Sequence, residues 1–179
     1  MSKKSKLKYY IPGAIALIFG IAAFCMMFLP AITFTAGNTT TDGYTGAQLT
    51  FGYKETYAGQ EVTILNFNFV ALLAFLLPLA GGVIALITKN GFISKILSTA
   101  CFVAGAVLLF CIVSYSSMGN VKLEDDGILG SIVNGFLDEL YAAIDETKGL
   151  GIGAIIGGVL SIVGAAVCFF KGTIAKLVK

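Results

Sequence analysis

The dominant pattern in this chain is four long runs of apolar residues, separated by more polar segments. The runs cover about residues 9–29, 67–88, 96–115 and 150–170, and none contains a charged side chain. A bilayer core about 30 Å thick is crossed by about 20 helical residues, so each run has the length of a membrane span. The pattern therefore predicts four transmembrane helices within a single integral membrane domain, residues 1–179.

The first polar segment, residues 31–66, alternates apolar and polar side chains. Alternation occurs at residues 32–36, 49–53 and 62–64, and turn signals that contain glycine separate these three runs. Alternation with this spacing is typical of half-buried strands. The segment is therefore predicted to form a small antiparallel β-sheet of about three strands, and so small a sheet needs cover for its apolar face.

The second polar segment, residues 116–149, has a helical pattern. Apolar residues recur every three or four positions between Ile128 and Ile144, and Gly149 suits the end of a helix. We expect an amphipathic helix outside the membrane that covers the predicted sheet. The expected fold class is all-α membrane: a four-transmembrane-helix bundle with a small extracellular β-sheet and an extracellular amphipathic helix.

Charged residues divide unevenly between the two sides of the predicted bundle. Nine lysines and no acid lie on the side of the two termini, whereas the two outer loops hold all ten acids and three lysines. The positive-inside rule then places both termini in the cytoplasm, and we expect the cell (plasma) membrane. Charged residues make up only 12% of the chain, against about 25% in soluble domains. The net charge of +2 hides this division, and we expect no nucleic acid partner.

The fourth apolar run is rich in glycine. Its first residues, Gly149-x-Gly151-x-x-Ala154, loosely match the phosphate-binding fingerprint of dinucleotide sites. That fingerprint requires a preceding strand, and because the pattern predicts a helix there, we expect no nucleotide. Small residues recur at every fourth position instead, which allows membrane helices to approach closely. This predicted packing stripe consists of Gly149, Gly153, Gly157, Ser161 and Ala165.

Groups that carry catalysis or coupled transport are scarce. The chain has no histidine, and its four cysteines all fall inside predicted spans, which excludes a disulfide framework or a cysteine metal motif. No ionisable side chain lies inside a span, where an ion pathway normally needs one. We therefore expect neither an enzyme nor a pump, and no cofactor. Glu124, Asp125 and Asp126 are a candidate for weak cation binding, and their alternative role is to solvate the outer loop.

Four spans with cytoplasmic ends and a β-rich first outer loop resemble the claudin and peripheral-myelin-protein type of membrane protein. The likeness covers the whole chain as topology, with a short local match in the sequence GAQLTFG at residues 46–52. The tryptophans and the cysteine pair of that family's first loop have no counterpart here. The resemblance therefore implies the four-span fold, and no junctional activity is carried over with it.

Together, these features favour a non-enzymatic, multi-pass membrane protein that works through its outer loops. It is expected to contact the lipid bilayer and to bind a protein partner, or to assemble laterally as a homo-oligomer. Two alternatives stay open at this point. One is a pore- or channel-forming oligomer with an acidic outer vestibule, and the other is a bundle that binds a lipid or small molecule.

Overall fold

Helices account for most of the chain in the computed structural model, which describes residues 3–36, 39–57, 60–88, 91–116 and 147–177. The helices are α1 Lys3–Cys25, α2 Gly46–Phe51, α3 Phe69–Ile87, α4 Phe92–Phe110, α5 Ile112–Tyr115, α6 Ile152–Phe169 and α7 Lys171–Leu177, with a 3-10 helix at Met26–Phe28. The strands are β1 Ile32–Ala36, β2 Thr39–Asp42, β3 Tyr53–Tyr57, β4 Gln60–Leu65 and β5 Lys148–Leu150.

Four helices are long and apolar enough to cross a membrane, which confirms that part of the prediction. They cover Tyr10–Phe28, Phe69–Ile87, Phe92–Phe110 and Ile152–Phe169. The third begins at Phe92 rather than at residue 96, so that Lys95 lies in its first turn. A lysine there can bury its hydrocarbon stem and extend its ammonium group to the bilayer surface. The same helix ends at Phe110, and α5 follows after Cys111.

The spanning helices form a bundle in which α1 and α4 each pack against both α3 and α6. The closest approach is between the antiparallel helices α1 and α3. A methyl group at Gly20 of α1 would lie 2.6 Å from the Pro78 carbonyl oxygen, and one at Gly82 of α3 would lie 2.8 Å from Leu17 Cα. Both distances are shorter than van der Waals contact, so only the hydrogen of glycine fits at these two positions.

The strands lie together at one end of the bundle, which we call the strand end. The first sheet has the order β2-β1-β5, with Thr33 opposite both Asp42 and Gly149. The second is the hairpin β3-β4. One buried cluster joins these elements to the ends of α1, α3, α4 and α6, and includes Met27, Ile32, Leu49, Leu65, Phe75, Leu109 and Ala154. The sheets are therefore packed onto the bundle through a shared apolar core.

The predicted strand at residues 49–53 is wrong in its first half, because Gly46–Phe51 forms α2. Thr45 and Gln48 make a capping box: Gln48 N–H donates to Thr45 Oγ1 at 3.2 Å, and Thr45 N–H donates to Gln48 Oε1 at 2.9 Å. Gly52 ends the helix with φ 88°, a conformation that glycine adopts without strain. These capping interactions outweigh the alternating pattern.

The second polar segment contributes a strand to the first sheet, which the sequence does not predict. Lys148 and Gly149 at its end begin β5, which continues to Leu150 and pairs with β1. The predicted amphipathic helix between Ile128 and Ile144 lies outside the described residues. The described part of this segment therefore ties the start of α6 to the first outer segment.

Candidate functional site

The strands β1–β5 and helix α2 together make a folded cap on the strand end. Two backbone hydrogen bonds clip the cap to α6: Gly151 N–H donates to the Ala31 carbonyl at 2.9 Å, and Gly153 N–H donates to the Pro30 carbonyl at 2.8 Å. The first N–H groups of a helix have no acceptor within the helix. The start of β1 therefore satisfies the start of α6 and holds the two elements together.

Helix α2 lies over the beginning of α3. A methyl group at Gly46 would lie 2.5 Å from Cζ of the fully buried Phe75, so the two elements touch without space for a side chain between them. Gly46 N–H donates to the Leu29 carbonyl at 3.3 Å, and Asn68 N–H donates to the Thr50 carbonyl at 3.0 Å. Backbone hydrogen bonds thus hold α2 near both of its ends.

Aromatic rings connect the two sheets of the cap. The ring of Tyr44 meets Phe34 of β1 edge-on, with centroids 5.9 Å apart, and lies 5.8 Å from the ring of Tyr53 in β3. Aromatic pairs in such geometries contribute about 0.5–1.5 kcal/mol beyond the area that they bury. The first sheet and the β3-β4 hairpin are therefore packed into one unit.

A polar tie supports the base of the cap. Asn68 accepts from the N–H groups of Val70 and Ala71 at the start of α3, and its side-chain amide donates to the Tyr115 carbonyl at 2.8 Å. The Tyr115 hydroxyl donates to the Leu108 carbonyl at 2.6 Å. Burial raises the pKa of Tyr115, so the phenol keeps its proton and remains a donor. The tie fixes α5 against α3.

The outer surface of the cap is formed by β2, whose four residues, Thr39–Asp42, are all exposed. Within the described residues, β1 pairs with one edge of β2 and no strand pairs with the other. The opposite edge of the sheet is β5, which packs against α5, and there Lys148 Nζ donates to the Ser116 carbonyl at 2.8 Å. An open strand edge presents N–H and C=O groups that can bind an extended segment of another chain.

The predicted packing stripe lies largely on one buried face of α6. Gly153, Gly157, Ser161 and Ala165 are all buried there. A methyl group at Gly153 would lie 2.8 Å from the Met26 carbonyl oxygen, whereas one at Gly157 would lie 3.3 Å from Leu109 Cδ1. The Ser161 hydroxyl donates to the Gly157 carbonyl at 2.8 Å, which satisfies it within its own helix. The face is tight at its start and less tight at Gly157.

Gly149 is placed differently from the prediction. It lies in β5 opposite Thr33, and α6 begins only at Ile152, so the prediction that Gly149 starts the helical stripe is wrong. The expectation that no strand precedes Gly151 is wrong for the same reason. A methyl group at Gly151 would lie 2.6 Å from the Ala31 carbonyl carbon. The space above Gly151 is therefore filled by the backbone of the chain rather than open to a phosphate.

We expect Gly157→Leu to destabilise the protein by about 1–3 kcal/mol, the usual cost of overpacking. The added side chain would meet Leu109, Met26 and the backbone of Ala23. Val159 is 50% exposed on the other side of α6, so Val159→Leu is the matched control. Thermal unfolding followed by circular dichroism in detergent compares the two variants. Equal midpoints would contradict a packing role for this face.

The candidate cation site at Glu124, Asp125 and Asp126 lies outside the described residues. Of the acids that the structure describes, Asp42 is in β2 and Glu55 is in β3. In the described part of the chain, no three histidine, cysteine or acidic residues come together in a group that could hold a metal ion.

The sequence gives no sign of the burial of Lys171. It follows the last span, as a lysine of the positively charged flank would, yet it is only 3% exposed. Its ammonium group donates to the Ala85 carbonyl at 2.5 Å and to the Thr88 carbonyl at 3.0 Å, at the end of α3. Only these two hydrogen bonds to the end of α3 distinguish Lys171 from the solvated lysines expected there.

Comparisons with known proteins name no relative for this chain: no family model matches it, and a search of curated proteins finds no significant match.

Proposed function

We propose that this chain is a non-enzymatic, multi-pass membrane protein that binds a protein partner, or a second copy of itself, through the cap. The observation that carries the proposal is the edge of β2 with which no described strand pairs, in a strand whose residues are all exposed. Three of its four residues are threonine, and this β-branched residue suits an extended pairing strand. A partner segment in extended conformation would add to the sheet next to β2.

The way in which the cap is held supports the same proposal. Three sets of contacts order the cap in the absence of a partner: the hydrogen bonds to α6, the packing of α2 on Phe75, and the ring contacts of Tyr44. Binding to an ordered surface loses less conformational entropy than binding to one that must first fold. The cap is therefore suited to recognition, with the bundle as its anchor.

Photo-crosslinking in native membranes tests this proposal. A photoreactive phenylalanine at Thr40 of β2 is expected to give a protein adduct, and the same residue at Val159 is the control, because Val159 is exposed on an apolar spanning helix. An adduct of twice the mass of the chain indicates self-assembly, and an adduct of another mass indicates a different protein. No protein adduct from Thr40, or an equal yield from Val159, would contradict the proposal.

In the proposed orientation the protein lies in the plasma membrane, with the cap outside the cell and both termini in the cytoplasm. The nine lysines on the side of the termini support it through the positive-inside rule. The topological likeness to claudin-type proteins supports the same arrangement.

Cysteine labelling in intact cells checks the orientation. In a variant whose four native cysteines are replaced, Thr40→Cys is expected to react with a membrane-impermeant maleimide, and Asn90→Cys is expected to react only after the cells are opened. Thr40 is suitable for labelling because it is exposed in β2. Labelling of residue 90 from outside would refute the orientation.

The two alternative functions predict different observations. The bundle interior contains Phe75, Phe102 and Leu109, which are fully buried, so a pore would have to form between copies rather than within one. Reproducible cation-selective conductance of the purified protein in a planar bilayer would favour the channel and count against the proposal. A ligand that co-purifies with the bundle, found by mass spectrometry, would favour the small-molecule binder.

A further inference from the structure

At the end of the bundle opposite the cap, Lys95 and Lys171 lie close together, and we call this the lysine end. Lys171 Nζ is held by the Ala85 and Thr88 carbonyls, where the ammonium also interacts favourably with the negative end of the α3 dipole. An ammonium group has three N–H donors. Two are used by these carbonyls, and one remains for a further acceptor.

Lys95 brings a second positive charge to the same place. It lies in the first turn of α4, and a methyl group at Gly172 would be 2.9 Å from Lys95 Nζ, so this ammonium lies against the residue next to Lys171. Burial lowers the pKa of Lys171, Cys168 partly opposes this by raising it, and the charge of Lys95 lowers it. Each of these two like charges disfavours the other, and an anion placed near both would stabilise them.

The chain supplies no such anion in its described part. The described acids belong to strands of the cap, at the other end of the bundle. The remaining acids of the sequence fall in residues 124–146, which lie outside the described residues. The N-cap of α4 is Gly91, which makes no side-chain hydrogen bond, so the first N–H groups of this 19-residue helix add further positive potential beside Lys95.

Exposed apolar side chains surround the lysine end. Phe92 and Ile93 of α4 are 78% and 81% exposed, and Phe169 and Phe170 are exposed at the end of α6. These apolar side chains would add nothing to the binding of a soluble anion, whereas the acyl chains of a lipid pack well against them. We propose that Lys95 and Lys171 bind the phosphate group of an anionic phospholipid at the lysine end. Basic sites between spanning helices commonly bind such head groups.

In this arrangement Lys95, which is only half-buried, makes the direct contact with the phosphate. Lys171 lies behind it and contributes the second charge from a fixed position on the end of α3. The lipid would then hold α4 and α7 together across the end of the bundle. The lipid site lies at the opposite end of the bundle from the cap, so its test does not depend on the proposed partner binding.

Native mass spectrometry of the full-length protein in detergent tests the site, with phosphatidylglycerol and phosphatidylcholine as probes. We expect tighter binding of phosphatidylglycerol, and Lys95→Gln should weaken it about fivefold, since one lysine near a charged lipid surface contributes about that factor. Lys54→Gln removes a lysine from β3 of the cap and should leave the affinity unchanged.

Lys95→Gln is the decisive variant because Lys171→Gln also removes the hydrogen bonds that cap α3. A thermal shift on addition of phosphatidylglycerol gives a second readout, larger in the parent protein than in Lys95→Gln. Equal affinity of the parent and Lys95→Gln for phosphatidylglycerol would overturn the proposal. Equal affinity for the two lipids would overturn its anionic selectivity, and release of the lipid by inorganic phosphate would assign the site to a soluble anion.

Discussion

Gly151→Ala is expected to destabilise the protein by about 3 kcal/mol, the upper end of the usual range for overpacking. Gly151 has φ −81°, which alanine adopts freely, so the cost comes from contact rather than from backbone strain. The added methyl would lie 2.6 Å from the Ala31 carbonyl carbon and 2.7 Å from the Ile32 nitrogen. Both are backbone atoms at the entry to β1, and their retreat would break the hydrogen bond from Gly151 N–H to the Ala31 carbonyl.

Gly149→Ala is the matched control for this prediction. Its methyl would meet Thr33 Oγ1 at 2.7 Å, and the next atom, the Thr33 carbonyl oxygen, is 3.9 Å away. A threonine side chain can rotate, so we expect a loss of less than about 1 kcal/mol. Circular dichroism melting curves in detergent compare the two variants. If both lower the midpoint equally, the clip between β1 and α6 is not what requires glycine at residue 151.

Gly20→Ala is expected to destabilise the packing of the spanning helices by about 2 kcal/mol. The methyl would lie 2.6 Å from the Pro78 carbonyl oxygen and 3.2 Å from Leu79 Cα. These are backbone atoms of α3, so the two helices must move apart and lose dispersion contacts along their shared surface.

Gly157→Ala is the control, because it places the same methyl in another spanning helix. There the nearest atoms are Leu109 Cδ1 at 3.3 Å and Met26 Cβ at 3.4 Å, both in side chains that can shift by a few tenths of an ångström. Alanine is favoured over glycine in a helix by about 1 kcal/mol, so we expect no net loss. A greater loss for Gly157→Ala than for Gly20→Ala would place the tightest helix contact on α6 instead of between α1 and α3.

The cap and the lysine end divide the molecule into two regions with different proposed partners. In our proposals, another protein chain binds the edge of β2 with which no described strand pairs, and a lipid binds the two positive charges of the lysine end. The tests use variants at opposite ends of the bundle. A failure at one end therefore leaves the proposal at the other intact.

The sequence alone determined the elements that depend on a residue's own chemistry. Four helices able to span a membrane follow from run length and from the absence of charge. A single segment in lipid can satisfy all of its own backbone groups only as a helix. The strand at Ile32–Ala36 follows from alternation. The small face of α6 from Gly153 to Ala165 follows from its four-residue spacing.

Tertiary structure alone decided which element each residue meets. Gly149 was consistent with a helix until pairing with β1 extended it. The helix at Leu49, by contrast, was fixed locally, by the capping box of Thr45 and Gln48. Lys171 follows an apolar run, where a solvated lysine is expected. It is buried instead, with its ammonium group hydrogen-bonded to carbonyls at the end of α3. Periodicity reports which face of an element is apolar, but the distances that make one glycine indispensable and another replaceable are set by the neighbouring backbone.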